Sequence, residues 1–320
     1  MLKKFSNQRF QYSALLVVAV IAVSFSSIFI KMSTAPASVI GFYRMLIASL
    51  LIIPFAWRER TLWSKLSWVD LVSIGCAGVF LGFHFVFWIL SLKYTSVSSS
   101  TLIVALQPVL VACGAFFLFG ERLNRWQQCA CFIALCGTSL VGYNDLQMSQ
   151  NAFLGDIYAF LGTIFAALYM LAGQKARTNV SVWTYNVSVF SIAALLLALD
   201  TLIHRSPWFH YSFNNWILFL LLALVPTLLG HALFNLVLKK LPASAVSMTI
   251  LGEPLGAILL AWLLLNQWIH WQEAMGGILL LTGVYLFLRK TSLLKDTLPS
   301  TNSGDGGLDN IANHHMETDG

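Results

Sequence analysis

Ten apolar segments joined by short polar connections restrict this chain to a single environment. They run over residues 12–30, 38–57, 69–91, 97–119, 126–143, 154–173, 183–203, 215–238, 244–265 and 271–288. Each approaches the ~20 residues that a helix needs to cross a hydrocarbon core about 30 Å thick. In lipid a backbone must pair its own N–H and C=O groups, so segments of this length form helices rather than open strands. Charged residues make up only 10% of the 320, and hydrophobic ones 58%. A soluble domain carries about 25% charged residues, so this chain lacks the polar surface a water-soluble fold requires. The expectation is an all-α membrane protein with ten transmembrane helices.

The net charge of +6 does not point to nucleic acid, because the basic residues are dispersed between apolar segments. With a cytoplasmic N-terminus, Lys3, Lys4, Arg9, Arg58, Arg60, Lys65, Arg122, Arg125, Lys175, Arg177, Lys239, Lys240, Arg289, Lys290 and Lys295 fall inside. Only Lys31, Lys93 and Arg205 fall outside, and Arg44 lies within the second segment. That bias places both termini in the cytoplasm. Ala35-Pro36-Ala37 imitates a signal-peptidase site, but the apolar stretch before it is too long for a cleaved signal and reads as the first span. Residues 290–320 turn polar and small and read as a disordered cytoplasmic tail.

The chain is built twice. His84, Lys93, Gln107-Pro108, Trp126-Gln127 and Gly137 reappear as His231, Lys240, Glu253-Pro254, Trp271-Gln272 and Gly283, at offsets of 145 to 147. Each half holds five segments, an odd number, so the second half enters from the opposite side. The pattern is two inverted five-helix repeats, a plan used by secondary transporters, whose substrate sites lie near the midplane between repeats. Within it, Pro108 and Pro254 each remove a backbone donor and predict a bend. Gly252 and Gly256 let another helix approach closely.

The residues Phe42-Tyr43-Arg44, the Gln107-Pro108 helix closing on Gly120-Glu121, Gly155-Asp156 and Glu253-Pro254 resemble those of the drug/metabolite transporter superfamily, in its ten-span form with two EamA-type repeats. The resemblance covers residues 13–143 (spans one to five) and 154–289 (spans six to ten). The family's second repeat often ends span nine with Gly-Glu, where Asn266-Gln267 stands here. The resemblance implies export or exchange of small polar metabolites, amino acids among them, across the cytoplasmic membrane. Uptake is the alternative, since direction follows from gradients, and a homodimer is left open.

Among single residues, Arg44 costs about 2.5–3.5 kcal/mol at a helix centre. It can clamp a substrate carboxylate or phosphate through its planar fork, or bond backbone carbonyls and reach for the interface. Glu253 is a carboxylate well inside a span. It serves either as a coupling group that exchanges a proton alternately with each side, or as a stabiliser of the Pro254 bend, since Gln107 fills the same place uncharged. Pro108 and Pro254 belong with it as gating positions. His84 with Trp88, and His231 with Asn235, are four apart and share a helix face. They either face a cavity or join helices by hydrogen bonds. Tyr43, Gln107 and Tyr169 complete the set of candidate lining residues. Trp57, Trp63, Trp126, Trp268 and Trp271 match an interfacial belt.

Enzyme chemistry has no motif to rest on: no P-loop, G-x-G-x-x-G, H-E-x-x-H or G-x-S-x-G is present. A membrane-embedded enzyme would need clustered polar groups on longer loops. No cofactor or metal is expected. Cys129-x-Cys131 has no second pair, and all five cysteines read as small packing residues.

Overall fold

The computed structural model describes residues 2–119, 124–237 and 251–297, and among these every regular element is helical. α1 (Leu2–Met32), α2 (Ala37–Trp57) and α3 (Trp68–Tyr94) come first, with a short 3-10 turn over Arg60–Lys65 before α3. Then follow α4 (Val97–Val104), α5 (Gln107–Phe119), α6 (Arg125–Met148), α7 (Gln150–Asn179), α8 (Val182–Ile203) and α9 (Phe213–Leu222). A π-helical stretch, Ala223–Ala232, leads into α10 (Leu233–Val237), and α11 (Gly252–Leu265) and α12 (Trp271–Thr297) close the chain. Among the described residues eight stretches are long and apolar enough to cross a membrane, and Gly252–Leu265 is a shorter apolar helix. The chain is therefore a multi-pass membrane protein.

Helix starts carry their own caps. Ser67 with Asp70, and Asn124 with Gln127, form reciprocal capping boxes, while Ser96, Ser149 and Ser181 each accept a backbone N–H. Such caps are worth about 1 kcal/mol each. α12 continues to Thr297, so the first part of the stretch read as a disordered tail is helical. The remainder of that tail, Gly120-Glu121, Lys239, Lys240 and residues 244–250 lie outside the described residues.

Helix interruptions coincide with proline. α4 stops at Val104 and α5 starts at Gln107-Pro108, with Leu106 N–H turned to Ile103 C=O at 3.1 Å. α11 starts at Gly252, placing Pro254 in its first turn, where a missing N–H breaks no helical bond. A further irregularity was not foreseen. Pro226 sits in the π-helical stretch and cannot donate to Leu222 C=O. Thr227 Oγ1 donates to that carbonyl instead, at 2.8 Å. Wide turns of this kind concentrate at functional sites.

Small residues decide which helices meet. α3 packs along α7, α2 on α8, α1 on the π-helical stretch and α11, and α6 on α12. A Cβ at Gly155 would stand 2.7 Å from Thr95 N, and one at Gly162 would stand 3.1 Å from Trp88 N, so α7 lies directly on the α3 backbone. Gly252 and Gly256 admit Val20 and Ser24 of α1, the close approach that their spacing predicts.

The α6–α12 contact is self-complementary. A Cβ at Gly137 would meet Gly276 O at 2.6 Å and also the Leu280 backbone. One at Gly283 would meet Ala134 N at 2.5 Å and Ala130 O at 2.7 Å. Residues 276, 280 and 283 stand 146 positions after 130, 134 and 137. The repeat-equivalents of two contacting residues thus contact each other in turn, the mark of a two-fold relation. The lower numbers of one helix meet the higher numbers of the other, so the pair is antiparallel.

The belt tryptophans Trp57, Trp63, Trp126, Trp268 and Trp271 are exposed. One expectation needs correcting. Of the five cysteines only Cys131 is buried, while Cys76, Cys129 and Cys136 are exposed. They occupy the outward faces of apolar helices, where burial among lipid tails removes any need for burial inside the protein.

Candidate functional site

Arg44 lies at the centre of the bundle at 0% exposure. α2 carries it, and three other elements receive it. Its Nε donates to Thr227 Oγ1 at 2.8 Å on the π-helical stretch, and its Nη1 donates to Ser26 Oγ at 2.9 Å on α1. The guanidinium carbon stands 4.4 Å from the centre of the Phe85 ring on α3. Hydrogen bonds from a charged donor are worth about 1.5–3 kcal/mol each, and a desolvated cation–π contact about 2. Together these offset the cost of burying the charge. Nη2 is left without a partner.

Three of the other groups singled out in the sequence stand around this cation. Glu253, His84 and His231 are near enough to act on the Arg44 charge, and Arg44 and Glu253 make no ion pair with one another. Glu253 occupies the first turn of α11, and its own backbone carbonyl accepts from Ser24 Oγ at 3.3 Å. His84 Nδ1 bonds the Gly162 carbonyl at 2.9 Å. A carbonyl only accepts, so that nitrogen carries the proton. The His84 ring stacks on Trp88 at 5.7 Å, and His231 meets Phe85 edge-on at 6.4 Å. Trp88 Nε1 is buried without an acceptor. Asn235 Nδ2 donates to Asn186 Oδ1 at 2.7 Å, which leaves Asn186 Nδ2 unpaired and buried.

The remaining expected residues lie elsewhere. Tyr43 is buried among Phe42, Trp216 and Phe219, and its hydroxyl donates to Trp208 C=O at 2.8 Å, tying α2 to the connection between α8 and α9. Gln107 and Pro108 are half-buried at the start of α5, and Tyr169 belongs to the apolar core. Ser26, Phe85, Asn186 and Thr227 were missed. Their signal was a polar or aromatic residue inside an apolar segment, which in this composition separates few positions from the rest.

A second polar region closes the far end of the bundle, where α1, α3 and α6 finish and α4, α7 and α12 begin. Lys31 at the end of α1 donates to Thr95 C=O at 2.8 Å, and Lys93 at the end of α3 donates to Ser33 C=O at 2.6 Å. Each lysine thus satisfies an orphan carbonyl beyond the other helix. Glu273 Oε1 of α12 accepts from Ser96 (2.8 Å), Ser98 and Ser99 (2.9 Å) at the start of α4. Asn266 ends α11 in the left-handed conformation at φ 51°, which Gly or Asn tolerates best. Gln267, turned by it, accepts from Val97 N–H at 3.2 Å. Asn215 Oδ1 accepts from Ser33 Oγ at 2.7 Å and from Thr34 N at 3.1 Å.

The model of the EamA-like transporter family matches residues 12–143 and again 153–289. An uncharacterised transporter of Bacillus subtilis, YxxF, is 27% identical over 282 residues, covering 86% of this chain and 89% of its own. A protein of Escherichia coli named "Probable amino-acid metabolite efflux pump" is 23% identical over 288 residues, covering 85% and 92%. A solved crystal structure superposes with a TM-score of 0.64 at 17% identity, over 89% of this chain and 99% of that one, a likeness of fold.

Proposed function

The chain belongs to the EamA-like transporter family, and from that premise we propose that it is a secondary transporter exporting small polar metabolites, amino acids among them, across the cytoplasmic membrane. The observation that carries this reading is Arg44, a fully buried cation with one nitrogen unpaired. A guanidinium held on two sides and open on the third suits a carboxylate arriving from the aqueous phase. The name of the Escherichia coli relative supports the substrate class. His84 and His231, within reach of the same charge, and Trp88, stacked on His84, supply further polar and aromatic surface.

In this reading ten helices form two inverted repeats, with both termini cytoplasmic, and access alternates as one repeat rocks against the other. The antiparallel, self-complementary contact of Gly137 and Gly283 supports the inversion. The break before Gln107-Pro108 supplies a hinge in the first repeat, and Glu253-Pro254 stands at the equivalent place in the second. Glu253, within reach of the Arg44 charge but not paired with it, is the group through which a proton and a carboxylate substrate compete or exchange.

The test compares metabolites in the medium of cells overproducing the protein with those of cells overproducing Arg44→Ala at equal membrane levels. One compound class accumulating outside only with the unmodified protein is expected. Accumulation inside the cells would reverse the direction, and identical media with active and substituted protein would remove Arg44 from the site. In proteoliposomes, Glu253→Gln is expected to keep exchange of substrate for substrate while losing the response to a proton gradient.

A further inference from the structure

Asn186 on α8 is fully buried, and one of its polar groups has nothing to bond. Asn186, Val189, Ala193 and Leu197 are spaced three and four apart, form one stripe of the helix and are each at 0% exposure. The stripe turns toward α2 and α3: Leu197 fills the space over Gly41, and the Val189 carbonyl lies over Gly78. Three members of the stripe are apolar and pack, while the first is a carboxamide. Across from it, Asn235 Nδ2 of α10 donates to Asn186 Oδ1 at 2.7 Å. Asn186 Nδ2 meets no acceptor among the described residues. A carboxamide has one end that donates and one that accepts. A single bond between two of them therefore leaves the other end of Asn186 open, whichever way it is turned.

The pair stands across a gap. α8 packs along α2 and α3, and α10 on α1 and the π-helical stretch, and among the described residues no comparable packing joins α8 to α10. Asn235 follows His231 by four residues and shares its face, and His231 meets the Phe85 ring over which the Arg44 guanidinium stands. Asn235 also follows Thr227, the Arg44 partner, by eight residues, which is roughly 10 Å along the helix axis. That displacement leads away from the far end. Asn215, at the start of α9, receives Ser33 there, so α10 ends and α8 begins at the opposite, near end. An apolar residue at position 186 would continue the stripe and leave no donor open. A buried amide donor kept in its place calls for an acceptor that comes and goes.

We propose that Asn186 and Asn235 form a second substrate subsite on the near side of Arg44, where Asn186 Nδ2 receives a carboxylate or carbonyl oxygen of the transported molecule. The inference rests on the transport reading and adds a station to it. In the unloaded protein the two asparagines bond one another across the gap. A substrate oxygen arriving from the near end takes the open donor beside that bond. A neutral amide holds a carboxylate less strongly than a guanidinium does, so a substrate received here moves on to Arg44 rather than stopping. The same weakness lets a substrate leave by the near end when it travels the other way.

The experiment is exchange by the full-length protein in proteoliposomes of known orientation. The probe is a uniformly 13C-labelled mixture of the common amino acids, with each component followed by mass spectrometry. Asn186→Asp keeps an oxygen for Asn235 Nδ2, and so keeps the link between α8 and α10, but puts a like charge where a carboxylate would be received. The half-saturating concentration at the near face is expected to rise about tenfold, with that at the far face unchanged. Asn186→Leu combined with Asn235→Leu is expected to raise it about fivefold at the near face. The melting temperature of that variant should be unchanged or raised, because the apolar pair continues the stripe. Unchanged half-saturation at the near face in either variant overturns the subsite. So does a leucine pair that melts lower and loses exchange equally at both faces, the behaviour of a structural tie. If Asn186→Asp does not purify, the leucine pair decides. An unmodified protein that exchanges no component of the mixture overturns the transport reading, and the subsite with it.

Discussion

At the centre of this bundle polar groups outnumber their partners, and at the far end nearly every one is taken. Arg44 Nη2 and Trp88 Nε1 are buried donors with nothing to receive them. Glu273, Gln267, Asn215, Lys31 and Lys93 are each used by a neighbour on another helix. Unpaired donors in a low-dielectric interior destabilise the protein, so their retention at one place suits a ligand that arrives with acceptors. Satisfied groups between helix ends suit a closure that must hold on its own and release as a unit. The exception at the far end is Asp156, whose two carboxylate oxygens have no donor.

The contrast makes opposite demands on transport and on stability. Arg44→Met has the largest expected effect. It removes a charge-assisted contact of about 1.5–3 kcal/mol with substrate, a loss of roughly 10–100-fold in transport rate. The apolar replacement of a partly paired buried charge is expected to leave thermal stability unchanged or raised. A melting temperature that collapses with Arg44→Met would mean the centre is structural like the far end. Glu273→Ala is expected to act the other way. Three serine hydroxyls lose their acceptor, stability in detergent falls by about 1–3 kcal/mol, and the far end becomes reactive to a thiol reagent when Ser98→Cys is present. Unchanged thiol reactivity would remove Glu273 from the closure.

Smaller effects refine the picture. Gln267→Ala deprives Val97 N–H of its acceptor, and a loss of about 1 kcal/mol is expected in a thermal melt, with substrate affinity untouched. A change in affinity instead would extend the site to the end of α11. Tyr43→Phe removes a hydrogen bond to Trp208 C=O, a loss of about 0.5–1.5 kcal/mol. Because the Tyr43 ring is packed among Phe42, Trp216 and Phe219 rather than beside Arg44, transport per folded molecule should be preserved. A specific loss of transport with Tyr43→Phe would move it into the substrate site.

The amino-acid sequence by itself determined that the chain lives in a membrane. Segment length and hydropathy are local properties, and lipid leaves a helix no competitor. Recurrence of His, Gln/Glu-Pro, Trp-Gln and Gly at one spacing made the duplication legible. The prolines at 108 and 254 each stand in the first turn of a helix, where the missing N–H costs no helical bond. Arg44 stood out as a charge where charge is costly. Tertiary structure alone decided which polar groups meet. Nothing local in Thr227, Ser26 or Phe85 says that they receive a guanidinium, since each is ordinary in its own helix. Asp145 lies just past an apolar segment and Asp156 and Glu273 close to the starts of others, positions that read as the water interface. They are buried because helix ends from both halves converge over them. Pro226 was visible, but the wide turn it heads depends on Thr227 reaching back to Leu222 while also accepting Arg44 from α2. Such pairings depend on the approach of helices far apart in the chain, and that approach is set by glycines whose partners only the assembled bundle identifies.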